Sequence, residues 1–443
     1  MGIQDLIIAP LYFLIILMIG NFIKNKMDDP VIRTYFMKGL VLKLIGAIGI
    51  SIIYFYYYGT GDTVYYFERA KLIDSVLIDK FYVGLKLLFA NPAVYDSDTF
   101  GYFARIRGFD PSSLIIVRIA AITNIICFNS YLANAFIFSA LSYIGIWKLF
   151  KMINNLFPKN TKIIAWSFLF IPSVFFWGSG ILKDNVTLGF LGIFISSFYF
   201  LFIKRKKIFP NSILFIIATF MIGIIKSYIL LAAFPAIFAW LFFTYRNRIQ
   251  SKSARIILTP VLIALIAPLG FGALQLMSSS FNKFSLDNAQ EKAEDMQRWH
   301  TYRVEVLKGG EGSSYNLGQI VFTPLGIAAK IPAAITAAIF RPYIWEAGNP
   351  AVFLSALESL FFLFVTIRLI FLFLRAPGRG FQFLGDNSIL YFMIIFSLIF
   401  AFSVGFTSYN FGALSRYRIP LLPFYLCAIL LTTDHLKNYK KAR

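Results

Sequence analysis

Charged side chains stand directly beside long apolar runs at several points of this chain. The clearest case is Phe340–Glu358, which contains Arg341, Glu346 and Trp345. Because a guanidinium group binds phosphate oxygens through paired N–H donors, we expect Arg341 and Glu346 to line a phosphate-bearing site. The alternative is that Arg341 pairs with Glu346 and only stabilises the fold. Glu358 lies inside the next apolar run, so it must pair with a basic side chain or face a polar cavity.

A second candidate is Asp62, which directly follows an apolar run. A carboxylate at the membrane surface could act as general base toward an acceptor hydroxyl, or bind a divalent cation that neutralises a phosphate. The alternative is a helix-capping role after Gly59 and Gly61. We predict that Asp62 is the catalytic residue. The sequence does not define a cofactor, and a divalent cation at Asp62 is the candidate.

Lys183 and Asp184 follow a glycine-containing turn and enter another apolar run. Ionisable groups at that depth are costly unless they face a polar cavity, so we predict that both bind substrate. Mutual pairing at a helix cap is the alternative. Further basic side chains that could contact the same ligand are Arg118, Lys226, Arg416 and Arg418. The first two could instead snorkel to the interface, and the last two could contact anionic lipids.

The composition is that of an integral membrane protein. Of 443 residues, 58% are hydrophobic and 14% are charged, and the mean hydropathy is +0.72. Apolar runs of about 17 to 25 residues recur, which predicts spanning helices and not barrel strands. The net charge of +21 is concentrated beyond the ends of these runs, as at Lys204–Lys207, so nucleic acid is not an expected partner. Two cysteines and two histidines favour neither a disulfide framework nor a zinc site.

The predicted fold class is all-α, a polytopic membrane helix bundle that forms a single domain over residues 1–443. About eleven spans are predicted, at residues 5–23, 38–58, 131–150, 162–178, 185–203, 209–226, 227–244, 255–277, 350–374, 388–407 and 418–433. Segments 112–129 and 320–340 are ambiguous, and they are expected to be interfacial or re-entrant helices. If both crossed the membrane instead, the polarity between them would invert and place Lys204–Lys207 outside. The distribution of Lys and Arg then places the N-terminus outside, the C-terminus inside, and loops 59–111 and 278–349 on the outer face.

Four of these stretches together resemble bacterial multi-spanning polysaccharide-assembly proteins. They are Asp62, the turn ending in Lys183–Asp184, Phe340–Glu346, and Arg416–Pro423. One group of such proteins is the GT-C glycosyltransferases, and the other is the O-antigen and exopolysaccharide polymerases and ligases. The GT-C resemblance implies a polyprenyl-phosphate donor, Asp62 as the acid, and phosphate contacts from Lys183, Arg416 and Arg418. The sequence departs from that pattern in an additional span before Asp62 and in the absence of an adjacent acid.

The expected function is transfer of a sugar or oligosaccharide from a polyprenyl-(di)phosphate-linked donor to a glycan acceptor, on the periplasmic face of the bacterial inner membrane. Membrane lipids are the other expected partners. The sequence has no Gly-x-x-x-x-Gly-Lys-Ser/Thr motif, so a nucleotide site is not expected. Two alternatives stay open: a polymerase or ligase of O-antigen or exopolysaccharide, and a transporter of lipid-linked glycans that makes no bond.

Overall fold

The structure, a computed structural model, describes residues 1–106, 110–246, 251, 314–318 and 323–441. Regular structure in these residues is helical, and the one extended pairing among them is an isolated antiparallel bridge between Ser314 and Asn410. The prediction of an all-α chain is therefore confirmed for the part of the chain that is described.

The described helices are numbered here in chain order. They are α1 (Ile3–Asn25), α2 (Pro30–Ile52), α3 (Asp62–Asp79), α4 (Phe81–Phe89), α5 (Ser97–Arg105), α6 (Pro111–Ile126), α7 (Tyr131–Leu156), α8 (Thr161–Leu169), α9 (Pro172–Trp177), α10 (Lys183–Phe198), α11 (Ile208–Lys226), α12 (Tyr228–Arg246), α13 (Pro324–Phe340), α14 (Pro350–Arg375), α15 (Pro377–Asp386), α16 (Ile389–Thr407), α17 (Phe411–Tyr417) and α18 (Leu422–Lys441). A π-helical turn extends α2 over Ile53–Tyr57, and another extends α10 over Tyr199–Ile203.

Eight of the described helices are long and apolar enough to cross a membrane. They are α1, α2 with its π turn, α7, α10 with its π turn, α11, α12, α14 and α16. The pair α17 and α18 is bent by 69° and would make a ninth span if the two cross as one. The chain is therefore a multi-pass helical membrane protein, while the predicted number of eleven spans stays a prediction. The predicted span 255–277 lies outside the described residues.

The predicted span 162–178 is not one helix. The structure divides it into α8 and α9, with Phe170 and Ile171 between them. Pro172 explains the break, because proline lacks the N–H of a helical hydrogen bond and disfavours helical conformation at the residue before it. Segments 112–129 and 320–340 form α6 and α13, of 16 and 17 residues, which are shorter than the eight candidate spans.

The residue contacts divide the chain into two compact units. Unit 1 comprises Met1–Pro158 and Val174–Lys226, and unit 2 comprises Lys159–Ser173 and Ser227–Arg443. In unit 1, α7 and α10 touch backbone to backbone, since a β-carbon on Gly145 would lie 1.9 Å from the carbonyl oxygen of Gly189. Small residues at helix contacts permit this close approach in membrane proteins.

Unit 2 has a core of aromatic rings. Phe392 and Phe396 stack with their ring centroids 5.6 Å apart, and Phe424 of α18 lies edge-on against both. Trp240 of α12 is buried against Phe392. These contacts join α12, α16 and α18 through dispersion and apolar burial, so the polar groups of unit 2 are positioned by a packed scaffold.

Asp74 is one of the buried carboxyl groups of unit 1, on the packed face of α3. Asp74 of α3 is 4% exposed, and neither of its carboxyl oxygens has a hydrogen-bond partner among the residues that the structure describes. Burial raises the pKa of Asp74 to about 7, and the nearby side chain of Asn124 on α6 opposes this shift only in part. The protonated form of Asp74 is therefore favoured in the folded state below about pH 7.

This raised pKa predicts a stability that falls with pH. Between about pH 4 and pH 7 the unfolded chain has already released the Asp74 proton while the folded chain still holds it, so unfolding becomes easier as pH rises. Above pH 7 both states are ionised and the penalty is complete. Asp74→Asn should flatten this decline in thermal unfolding curves of the purified protein, whereas Asp79→Asn, at an exposed position of the same helix, should not. Equal pH profiles for Asp74→Asn and the wild type would contradict the prediction.

Candidate functional site

The first polar cluster lies in unit 1 around Lys183, the first residue of α10. Its ammonium group donates to Ser112 Oγ at 2.8 Å and lies 3.4 Å from Asp110 Oδ2. The same nitrogen is 6.0 Å from the ring centroid of Tyr66. Asp62 lies close enough to act electrostatically on Lys183. The structure therefore brings the predicted residues Asp62 and Lys183 into one neighbourhood.

Three helix N-termini meet at this cluster. Helix α3 begins at Asp62, after Gly61, whose φ of +119° favours glycine. Helix α6 begins at Pro111, a residue suited to the first helical position, and α10 begins at Lys183. The N-terminal end of a helix carries a partial positive charge, which attracts anions. The positive charge of Lys183 and of the helix N-termini thus lies near the carboxylates of Asp62 and Asp110.

Sequence reasoning missed Asp110, Ser112 and Tyr66 as members of this cluster. Asp110 accepts hydrogen bonds from the hydroxyls of Ser112 and Ser113, at 2.9 and 2.7 Å for the shorter contacts. An acid before proline and two serines is a signal for a helix start, and it could have drawn attention to Asp110. It could not have shown which helix Asp110 faces.

Asp184 takes a different partner from its neighbour Lys183. It forms a buried ion pair with Lys226 at the end of α11, in which the two side chains are 1% and 8% exposed. Pairing between Lys183 and Asp184, the alternative left open by the sequence, is therefore not the arrangement observed. The Asp184–Lys226 pair joins the first turn of α10 to the last turn of α11, one residue after Lys183.

The turn between α9 and α10 is non-helical and is satisfied by buried side chains of unit 1. Lys43, inside the span α2, donates to the carbonyl oxygen of Gly178. Gly180 N donates to Ser139 Oγ at 2.9 Å, and Asn185 Nδ2 donates to the Gly180 carbonyl at 2.7 Å. These side chains pair with backbone groups that no helix satisfies. Lys43 was missed, although a lysine inside an apolar run is itself a signal.

Arg118 is engaged at a neighbouring helix end in unit 1. Its Nε donates to the carbonyl oxygen of Leu87 at 2.9 Å, and its Nη2 donates to the carbonyl oxygen of Ala90. A guanidinium at this position satisfies carbonyls at the C-terminal end of α4 and complements the helix dipole. Its proposed ligand contact stays a prediction.

The second polar cluster lies in unit 2 around Arg341. Its Nε lies 3.1 Å from both carboxylate oxygens of Glu346, and its Nη2 also donates to Glu346. The guanidinium carbon is 5.3 Å from the ring centroid of Tyr315 and 5.4 Å from that of Phe411. The pairing that the sequence left open is present, so the charge of Arg341 is already balanced by Glu346 and supported by aromatic rings.

Glu358 and Arg418 form a buried pair in the same unit. Arg418 is fully buried, and its Nη2 lies 3.3 Å from Glu358 Oε1. Glu358 also accepts from the backbone N–H and the hydroxyl of Ser173, at 2.9 and 2.7 Å. The prediction that Glu358 pairs is confirmed. Arg418 Nη1 in turn donates to the carbonyl oxygen of Arg341 at 2.9 Å, so Arg418 also holds the backbone at Arg341.

The predicted site residues thus fall into two groups. Asp62, Arg118, Lys183, Asp184 and Lys226 belong to unit 1, and Arg341, Glu346, Arg416 and Arg418 belong to unit 2. Arg416 lies half-buried on α17. A single cavity lined by both groups stays a prediction. Among the described residues, no group of three or more His, Cys, Asp or Glu side chains is arranged to hold a metal ion.

Compared with protein-family models, with curated proteins and with solved structures, the chain matches none of them. Its function is therefore inferred from the arrangement of its own residues within a multi-pass helical membrane protein.

Proposed function

We propose that this protein transfers a sugar or oligosaccharide from a polyprenyl-(di)phosphate-linked donor to a glycan acceptor, on the periplasmic face of the bacterial inner membrane. One observation carries the proposal. A lysine and two carboxylates lie together at the N-terminal ends of three helices in a membrane protein, as residues Lys183, Asp110 and Asp62. This combination offers both an anion-binding element and candidate bases.

The chemistry needs both elements. The acceptor hydroxyl oxygen would bond to the anomeric carbon while the bond from that carbon to the donor phosphate oxygen breaks. A carboxylate, for which Asp62 is the first candidate, would take the hydroxyl proton. Lys183 and the helix N-termini would stabilise the charge that develops on the departing phosphate. The donor bond itself supplies the driving force, so no nucleotide is required.

Unit 2 adds aromatic surface suited to a glycan. Trp345 is 83% exposed and stacks on Tyr343, with ring centroids 4.9 Å apart. Arg341 and Glu346 fix the backbone of this segment, since Glu346 also accepts from Tyr343 N at 2.8 Å. An exposed, rigidly supported ring pair of this kind could stack on a sugar face. The same arrangement would serve a polymerase or ligase of O-antigen or exopolysaccharide, which differs in the acceptor.

A transporter of lipid-linked glycans is the second candidate, and one observation favours it. The non-helical turn between α9 and α10 resembles the interrupted spans that line substrate sites in many transporters. A carrier would use the Lys183 cluster to hold the phosphate without making a bond. The two functions differ in their products: a transferase forms a new glycosidic bond, whereas a carrier only moves the lipid-linked glycan across the membrane.

The test uses the full-length protein in sealed vesicles with a fluorescent polyprenyl-diphosphate-linked sugar and a glycan acceptor. Asp62→Asn should lower formation of the glycosidic product about 100- to 10,000-fold, and Lys183→Gln about 100-fold. Glu68→Gln, on the exposed face of the same helix α3, is the matched control and should act like the wild type. Translocation without product in the wild type would establish the carrier instead. Wild-type product in both variants would contradict the proposal.

A further inference from the structure

A second basic region of unit 1 lies at the opposite end of α10 from Lys183. It comprises Lys148 of α7 and the exposed turn Lys204–Lys207 between α10 and α11. We call Lys148 together with Lys204–Lys207 the basic end of unit 1. All three helices that carry it are candidate membrane spans. The turn Lys204–Lys207 joins two of these candidate spans, and basic clusters between spans are typical of the cytoplasmic membrane surface.

Lys148 is held in place by neutral oxygen atoms. Its ammonium group donates to Ser197 Oγ on α10 and to Asn211 Oδ1 on α11, both at 3.2 Å. Ser197 is fully buried and Asn211 is 6% exposed, so these acceptors are fixed parts of the packing. Because both are neutral, Lys148 keeps its positive charge uncompensated by them. An ammonium group has three N–H donors, and two are directed at these acceptors.

Asn211 joins Lys148 to the exposed turn. Its Nδ2 donates to the carbonyl oxygen of Lys207 at 2.9 Å and more weakly to that of Lys206 at 3.4 Å. The backbone N–H of Lys206 in turn donates to Phe200 in the π turn of α10, at 2.9 Å. The backbone of the turn Lys204–Lys207 is thus hydrogen-bonded both to α10 and to Asn211, which also accepts from Lys148. A half-buried lysine and a run of exposed basic side chains are therefore brought to one place.

Acidic residues are scarce in the part of the sequence that carries the basic end. In the sequence from Pro111 to Leu286 the one Asp or Glu is Asp184. Asp184 lies near the start of α10, 13 residues before Ser197, which is about 20 Å along a helix. Two other acidic residues of unit 1, Asp28 and Asp29, precede α2. Asp29 is occupied as the N-cap of α2, where it accepts a hydrogen bond from Val31 N at 2.7 Å. Among the described residues, Lys148, Lys204, Lys206 and Lys207 form no ion pair with an acidic side chain, so their positive charge is available to an anion from outside the chain.

We propose that the basic end of unit 1 binds the phosphodiester head group of an anionic membrane lipid. The phosphate oxygens of the lipid accept hydrogen bonds from Lys148 and from the exposed side chains of Lys204, Lys206 and Lys207, while the acyl chains of the lipid lie along the apolar surfaces of the helices. Basic pockets between spanning helices bind anionic head groups in this way. The site is separate from the Lys183 cluster, and it does not depend on the function proposed above.

The test measures binding of phosphatidylglycerol to the full-length protein in non-ionic detergent by native mass spectrometry, with phosphatidylcholine as the neutral lipid. Lys148→Gln should weaken phosphatidylglycerol binding about fivefold, and the double variant Lys206→Gln, Lys207→Gln should weaken it by more. Lys151→Gln, one turn further along α7 and exposed, is the matched control and should have less effect than Lys148→Gln. Phosphatidylcholine binding should not change.

Two results would overturn this assignment. The first is equal phosphatidylglycerol affinity in the wild type, Lys148→Gln and the double variant. The second is complete displacement of the lipid by millimolar inorganic phosphate, which would make the site one for a soluble phosphate and not for a lipid. Because Lys206 and Lys207 are exposed, the double variant tests the proposal even if Lys148→Gln fails to fold.

Discussion

Glu358→Ala should destabilise unit 2 by about 3–5 kcal/mol, because it leaves the guanidinium of Arg418 buried without its charged partner. The same change removes the acceptor of the Ser173 backbone N–H. Thermal unfolding of the purified protein, followed by labelling with a thiol-reactive dye, measures the effect. Cys427 is buried in unit 2 and becomes reactive when that unit opens.

The double variant Glu358→Leu, Arg418→Met is the informative control for this pair. Replacing both partners of a buried ion pair by apolar residues of similar size costs far less than removing one, so much of the stability should return. Glu68→Gln breaks an exposed pair with Lys71 and should change stability by less than about 1 kcal/mol. An unchanged unfolding temperature for Glu358→Ala would show that the buried pair is not part of the folded protein in solution.

Lys226→Met should destabilise unit 1 by a similar amount, about 3–5 kcal/mol. It removes the cation that lies against Asp184, whose side chain is 1% exposed. An uncompensated buried carboxylate is costly, and here it lies one residue after Lys183. Cys127, which is buried in unit 1, should therefore react with the dye at a lower temperature, while the reactivity of Cys427 reports whether unit 2 opens at the same temperature.

Asp184→Leu combined with Lys226→Met distinguishes loss of a charge partner from loss of packing. If the ion pair explains the effect, the double variant should recover much of the stability that Lys226→Met loses. If packing of the lysine stem explains it, the two variants should unfold alike. Equal unfolding temperatures for Lys226→Met and the wild type would contradict the prediction.

The helices were largely predictable because they depend on local sequence. Long apolar runs identify spans wherever a bilayer forces the backbone to satisfy its own hydrogen bonds, and eight described helices meet that description. The break at Pro172 was missed, since an apolar run of sufficient length was given more weight than the backbone restriction of proline. The predicted span 418–433 begins at the break between α17 and α18, where the structure ends one helix at Tyr417 and begins the next at Leu422.

The charged positions were also visible in the sequence, while their partners were not. Asp62, Lys183, Arg341 and Arg418 were identified because charge beside apolar runs is rare and costly. The partner of Lys183 is Asp110, which lies 73 residues away in the chain. No local pattern specifies a contact across that separation, because it depends on which faces of α6 and α10 pack together.

The sequence by itself determined the solvent of this protein, its helical class, and the positions at which charge must be balanced. Hydropathy and backbone hydrogen bonding are local properties, so they can be evaluated one segment at a time. The tertiary structure decided how that balance is achieved. Asp184 pairs with Lys226 and not with Lys183, Arg341 pairs with Glu346, and Glu358 pairs with Arg418. The Asp184–Lys226 and Glu358–Arg418 pairs join residues 42 and 60 positions apart, so only the packing of the helices brings them together. Arg341 and Glu346 are five residues apart, and the local backbone after α13 sets their contact.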